Sequence, residues 1–124
     1  MTESSAHMSI VDVDVKGDIF CAIVLETPDT AAYLQTGKPV TLLFKETEVS
    51  IGKNLSGLIS LRNRVKSRVK KIIRQGILTL IILDYKNFKI QSIISSRSCQ
   101  KMDLKEGDEV EWLVKTTEMS LQGG

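Results

Sequence analysis

The sequence says nearly the same thing twice. "LQTGKPVTLLFKETEVSI", residues 34–51, returns seventy residues later as "LKEGDEVEWLVKTTEMSL", residues 104–121. At that one offset Leu34, Gly37, Val40, Leu43 and Lys45 meet Leu104, Gly107, Val110, Leu113 and Lys115, and Thr47-Glu48 and Ser50 meet Thr117-Glu118 and Ser120. Upstream, Asp14, Lys16 and Ile23 match Asp84, Lys86 and Ile93, again without a gap. A constant offset over such a span marks one structural unit present in two copies. The duplication is incomplete, because residues 53–70 align with positions before residue 1. The first copy therefore lacks its opening segment. Either the chain is a piece of a longer protein, or another strand fills the gap, drawn from Lys53–Lys70 or from a second subunit. The repeat divides the chain into an unstructured start or cloning remnant at 1–8, a first module at 9–52 and a near-complete second module at 53–122.

Most segments alternate with period two, as half-buried strands do. "IVDVDV" puts Val11, Val13 and Val15 on one face. "PVTLLFKETEVSI" sets Val40, Leu42 and Phe44 against Leu43, and Val49 and Ile51 then resume the pattern. "GILTLIILDY" and "FKIQSIIS" are rich in β-branched and apolar residues, as buried strands are. Turn signals separate these runs at Lys16-Gly17-Asp18, Thr36-Gly37-Lys38-Pro39, Lys86-Asn87 and Glu106-Gly107-Asp108. "TPDTAAYL" reads as a short helix, with Thr27 as N-cap and Pro28 at its first position. "SRSCQKMDL" takes the same place in the second copy. Each unit is thus four or five strands and one short helix, a small barrel in outline. The basic run "RNRVKSRVKKIIR" reads as a strand, with Val65, Ser67 and Val69 inward and Arg64, Lys66, Arg68 and Lys70 outward, on a solvated face.

Several classes of function fall away. A lone His7 in the start excludes a Ser-His-Asp set, and there is no Walker loop and no GxGxxG. Glu106, Asp108, Glu109 and Glu111 sit in a turn and along a strand edge, where solvation accounts for them. Cys21 and Cys99 occupy non-equivalent positions of the repeat and have no metal-ligand spacing, so reduced thiols in a cytoplasmic protein are expected. No apolar run approaches the roughly 18 residues of a membrane span. Neither catalysis, a metal ion nor an organic cofactor is expected.

What remains is a set of hydrogen-bond donors at strand ends and in the second short helix: Ser60, Arg62, Ser95, Ser98, Lys115 and Thr116. Ser98 lies near the start of that helix, where free N–H groups favour an anion. Lys115 follows "WLV" in a strand that reads as buried, and a buried ammonium needs a counter-charge. From spacing alone two readings stay open. Lys115 either reaches water or pairs with Glu118 or Glu48, or it faces a bound anion.

"ISLRNRVKSRV" followed by "SIISSRSCQKMDLKEGDEVEWLVKTTEMSL" resembles the molbindin or Mop module, also called TOBE. The likeness spans about Ile59–Leu121. "IVDVDVKGDIFCAIV…LQTGKPVTLLFKETEVSI" resembles the later two-thirds of a second module. The resemblance implies an all-β protein of tandem small OB-like β-barrels, each with one short helix, binding molybdate or tungstate. Such tandems occur in oxyanion-storage proteins, in importer ATPases and in the C-terminal part of molybdate-responsive regulators of the ModE kind. The family's ligand positions fall on Ser60, Arg62 and Asn63, on Ser95 and Ser98, and on Lys115 and Thr116. Family sites lie between modules or subunits, which implies a homodimer or higher homo-oligomer with possible strand exchange. DNA would be reached only through a domain outside this chain. Leu61 and Ser67 depart from the family's small residue and glycine. In the first copy Glu46 follows Lys45, and Leu25 and Pro28 replace the hydroxyls, so that copy is expected to be a structural barrel without a full site.

Molybdate at neutral pH is a dianion with acceptors only, and an all-donor set suits it. Phosphate is largely monoprotonated there and wants one acceptor. Two competing functions are a nucleic-acid-binding OB-like domain using the basic strand 62–74, and a tandem barrel with no ligand. Aromatic residues are 5% of the chain, and Phe20, Tyr33, Phe44, Tyr85, Phe88 and Trp112 are scattered and mostly at core-like positions. Single-strand binders of this shape use aromatic stacking platforms, which counts against the first alternative.

Overall fold

Two-residue reversals set the strand layout. Lys16-Gly17 and Lys86-Asn87 have positive φ at both positions (49° and 96°, 49° and 69°), the backbone of a type I′ hairpin. The computed structural model describes residues 3–4, 8–25 and 36–123. The strands are β1 (Glu3–Ser4), β2 (Ser9–Val15), β3 (Asp18–Val24), β4 (Val40–Leu43), β5 (Ser50–Gly52), β6 (Asn63–Gln75), β7 (Leu78–Tyr85), β8 (Phe88–Ser95), β9 (Glu109–Val114) and β10 (Ser120–Gly123). One helix, α1 (Ser96–Lys101), and two 3-10 turns, Glu46–Glu48 and Thr116–Glu118, complete the described elements. The basic run is a strand, as its alternation predicts, with a bulge between Val69 and Lys71. The helix expected over "TPDTAAYL" lies outside the described residues, as do His7 and Tyr33. Glu3–Ser4, placed by the sequence within an unstructured start, instead pair with β2.

The strands form sheets ordered β5-β9-β6-β7-β8, β1-β2-β3 and β10-β4. Their registers show an arrangement that the repeat alone does not predict. β5 pairs with β9 of the second module, Ser50 opposite Leu113 and Ile51 opposite Trp112. β10 pairs with β4 of the first, Ser120 opposite Leu43 and Leu121 opposite Leu42. Each register becomes the other when the repeat offset is applied. The modules therefore exchange their last strands about an internal two-fold. The stretch read as one strand, "PVTLLFKETEVSI", is interrupted by the first 3-10 turn, which carries the chain across to the other barrel. The failure of alternation at Lys45–Glu48 is the trace this leaves in the sequence.

One core spans both modules. Trp112, 1% exposed, stacks on Phe20 at 5.5 Å between centroids and on Phe44 at 5.4 Å, and meets Tyr85 edge-on. Phe20 and Phe44 belong to the first module, so the central ring of the second is held by rings of the first. Ala22 and Val49 join Ile81, Leu83 and Val110 in the same cluster. Cys99 is buried and Cys21 half-buried, and they form no disulfide among the described residues.

Two polar clasps add to the exchange. Asn63, 1% exposed, donates from Nδ2 to the Cys21 carbonyl (2.8 Å) and accepts at Oδ1 from the Cys21 N–H (2.7 Å). Both ends of one amide thus cap the outer edge of β3. At the hairpin turns, the Tyr85 hydroxyl and the Lys86 ammonium (2.9 Å) both reach Asp18 Oδ2, and Lys86 also donates to the Lys16 carbonyl (2.7 Å). The hydrogen bond from Tyr85, then Lys86, holds the Asp18 carboxyl below the usual carboxylate range. Burial, and then Asp18, pushes the Tyr85 phenol up.

Asn63→Ala should lower the unfolding free energy by about 2 kcal/mol, since it strands a backbone N–H and C=O together; urea titration measures it. Asp18 has a depressed folded pKa, so its contribution is present above its unfolded value, about 3.9, and is lost as pH falls through the folded value. On acidification from pH 5 to pH 3, the melting temperature of Asp18→Asn should therefore fall less than that of the parent.

Candidate functional site

Register brings two cations to one strand end. β6 and β9 pair from Arg68 opposite Glu109 to Asn63 opposite Val114. The next residues, Arg62 and Lys115, leave the sheet side by side. Both are exposed, and neither side chain has a hydrogen-bond or ion-pair partner among the described residues. The burial expected for Lys115 is not found. It caps the second 3-10 turn through its carbonyl, which accepts from the Glu118 N–H at 3.0 Å, while its ammonium points to water and pairs with neither Glu118 nor Glu48. Thr116 opens that turn and is half-buried, and Ser60 is exposed in the connection before β6.

The two serines form a second group. Ser95, not Ser98, is the N-cap of α1: its Oγ accepts from the Ser98 N–H at 3.1 Å and donates to Ser98 Oγ at 2.9 Å. Ser98 keeps its own hydroxyl hydrogen for another acceptor. Behind them Ser96 donates to the Gly76 carbonyl and bonds Thr79 Oγ1, both at 2.8 Å, which fixes the helix on β7.

Asn63 does not join these exposed donors. Its amide is engaged at Cys21, and the work it visibly does is to hold the modules together. Among the other basic residues of β6, Arg64 makes a two-pronged contact with Glu111, and Arg68 bonds the Gly107 carbonyl at 3.0 Å beside Glu109. These two cations are satisfied within the protein; Lys66, Lys70 and Lys71 of the same strand, like Arg62 and Lys115, are exposed and have no such partner among the described residues. Phe20, Tyr85 and Trp112 are buried and offer no stacking platform.

The strand exchange decides what surrounds the two groups. The first 3-10 turn packs on β8 and the second on β3. In the first module Leu25 and Lys45 line a cavity of about 620 Å³ together with Thr117, Glu118 and Ser120. The repeat offset carries Leu25 and Lys45 onto Ser95 and Lys115. No hydrogen bond links the serine pair to either cation among the described residues. The first-module cavity has Leu25, 81% exposed, where the second module has a hydroxyl. No cluster of three metal-ligating side chains occurs among the described residues, and no described helix is long and apolar enough to cross a membrane.

The family model described as the TOBE domain matches residues 59–121. The fold is similar to that of the cytoplasmic molybdate-binding protein ModG, crystallised with molybdate bound. That likeness has a TM-score of 0.90 at 25% identity and covers 98% of this chain and 89% of ModG. A molybdate-binding protein from Sporomusa ovata is 36% identical over 53% of this chain and 98% of its own, with a TM-score of 0.52. A search of curated proteins finds no match. The family match covers half of the chain, and the ordered motifs within it are the ones that carry the candidate donors: the chain belongs to the TOBE domain family.

Proposed function

We propose that this protein binds a tetrahedral metal oxyanion, molybdate or tungstate, in sensing or storage and without catalysing a reaction. The observation that carries the reading is the pair of exposed cations without counter-charges, Arg62 and Lys115, brought side by side at the end of β6 and β9. Ser60, Thr116, Ser95 and Ser98 add hydroxyl donors. The molybdate-binding relatives support the choice of ligand. A dianion with four oxygens accepts from all of these groups and gives a hydrogen to none. Phosphate carries a hydrogen that this set leaves without an acceptor.

The working form is a homo-oligomer in the cytoplasm. The connection before β6 carries Leu58, fully exposed, and Ile59, 45% exposed, next to Ser60. Apolar residues so placed beside an anion site fit burial against a second copy. A second chain would then close the space between the serine pair and the cations.

Thermal shift tests the ligand. At 1,000 times its dissociation constant, molybdate or tungstate should add about 4 kcal/mol of stability, and phosphate little. Arg62→Ala and Lys115→Ala should each abolish the shift while the circular dichroism spectrum stays that of the parent. A shift retained in both variants would place the site elsewhere. Ser95→Ala should lower stability by about 1 kcal/mol through loss of the α1 cap and weaken oxyanion binding as well. Ser98→Ala should weaken binding with little effect on stability. Isothermal titration of each variant beside its urea curve separates the two effects.

A further inference from the structure

β5 brings more than hydrogen bonds to the second module. Lys53 follows directly on Gly52, the last residue of that strand. Its ammonium donates to the Asp103 carbonyl (2.9 Å) and the Met102 carbonyl (3.4 Å), and it pairs with Asp108 Oδ2 (3.0 Å). An ammonium has three hydrogens to give, and three oxygens take them here. Met102 is the C-cap of α1 and Asp103 the residue after it, where backbone carbonyls lack partners within the helix. Asp108 stands just before β9. Lys53 first, and then the Lys105 N–H, hold its carboxyl below the usual carboxylate range. The two side chains are only 26% and 24% exposed, so water and salt screen the pair less than one lying free on the surface.

The helix is thus held at both ends. Ser96 ties its first turn to Gly76 and Thr79, and Lys53 ties its last. Lys53 also begins the connection to β6 that carries Ser60 and Arg62. This connection folds back at once: a Cβ on Gly52 would collide with the Leu55 side chain, and Arg64 Nη2 donates to the Leu55 carbonyl at 3.4 Å. Asn63 fixes the far end at Cys21. One ammonium therefore joins the segment bearing Ser95 and Ser98 to the segment bearing Ser60 and Arg62. Seventy residues on from Lys53 stands Gly123, which has no side-chain donor, so that position sends no such group the other way.

We propose that Lys53 is a positioning residue for oxyanion binding, fixing α1 against the connection before β6, and that through it the affinity of the second module depends on the strand exchanged from the first. This rests on the oxyanion reading above. Lys53 acts from the far end of a six-residue helix, about 9 Å long, and takes no part in contacting the anion. Without its ammonium, α1 and the connection are free to shift against each other. A bound anion must then order both, and that ordering subtracts from its affinity.

The test titrates molybdate calorimetrically into the full chain and its variants, at a temperature where circular dichroism shows each of them folded. Lys53→Met keeps the aliphatic stem and removes the charge, and should weaken binding about tenfold. Asp108→Asn removes only the charge partner and should weaken binding less. Lys53→Arg keeps a charged donor in reach of the same oxygens and should bind nearly as the parent does. Tyr85→Phe loosens the distant clasp at Asp18 and serves as the control for stability: it should unfold in less urea yet keep the parent affinity. In the absence of molybdate, hydrogen exchange at Met102, Asp103 and Leu104, whose N–H groups bond back into α1, should quicken about tenfold in Lys53→Met. Parent-like affinity in Lys53→Met overturns the proposal, and so does an equal weakening in Tyr85→Phe. If the parent chain itself takes up no molybdate, the oxyanion reading falls and this role of Lys53 with it.

Discussion

β5 hydrogen-bonds to β9 and β10 to β4, and nearly everything else follows from that reciprocal pairing. Neither module closes its sheet with its own last strand. The 3-10 turn after each conserved-offset lysine throws the chain across the internal two-fold. Trp112 then stacks on Phe20 and Phe44, and the main core draws on both modules, beside a smaller cluster of Val11, Val13 and Val24. A small β-barrel of some sixty residues buries too little apolar surface to be comfortably stable alone. Sharing strands and aromatic rings lets each half complete the other.

The same crossing shapes the site. Because β6 and β9 end together, Arg62 and Lys115 are neighbours although 53 positions separate them in the chain. Neither has a carboxylate partner among the described residues. The contrast lies a few residues along the same strand, where Arg64 is matched by Glu111 and Arg68 by Glu109. A dianion bound at this strand end would meet two exposed cations at once. The proposed oxyanion site rests on the meeting of these two cations where β6 and β9 end.

Asn63 shows how a residue singled out by its motif does other work in the fold. Its place in the "SLRN" motif associates it with the ligand set. In the fold, Arg62 precedes β6 and is exposed, whereas Asn63 opens the strand and is buried. The arginine reaches outward, and the asparagine turns inward to the edge of β3, where a backbone N–H and C=O both need a partner.

By itself the sequence determined the strands, the reversals between them, the position of α1 and the strand state of the basic run. These are local properties: period-two burial and turn chemistry are each written within a few residues. It also carried the identity of Arg62, Lys115, Ser95 and Ser98 as donors, through motif spacing. What it left open was which sheet each strand joins. A seventy-residue repeat is equally compatible with two separate barrels and with two that trade their ends, since the hydrophobic alternation of β5 or β10 is the same on either sheet. Only the tertiary structure decided for exchange, because the choice depends on where a short 3-10 turn sends the chain and on which aromatic rings meet at the two-fold. That choice also decided the burial of Asn63 and the exposure of Lys115.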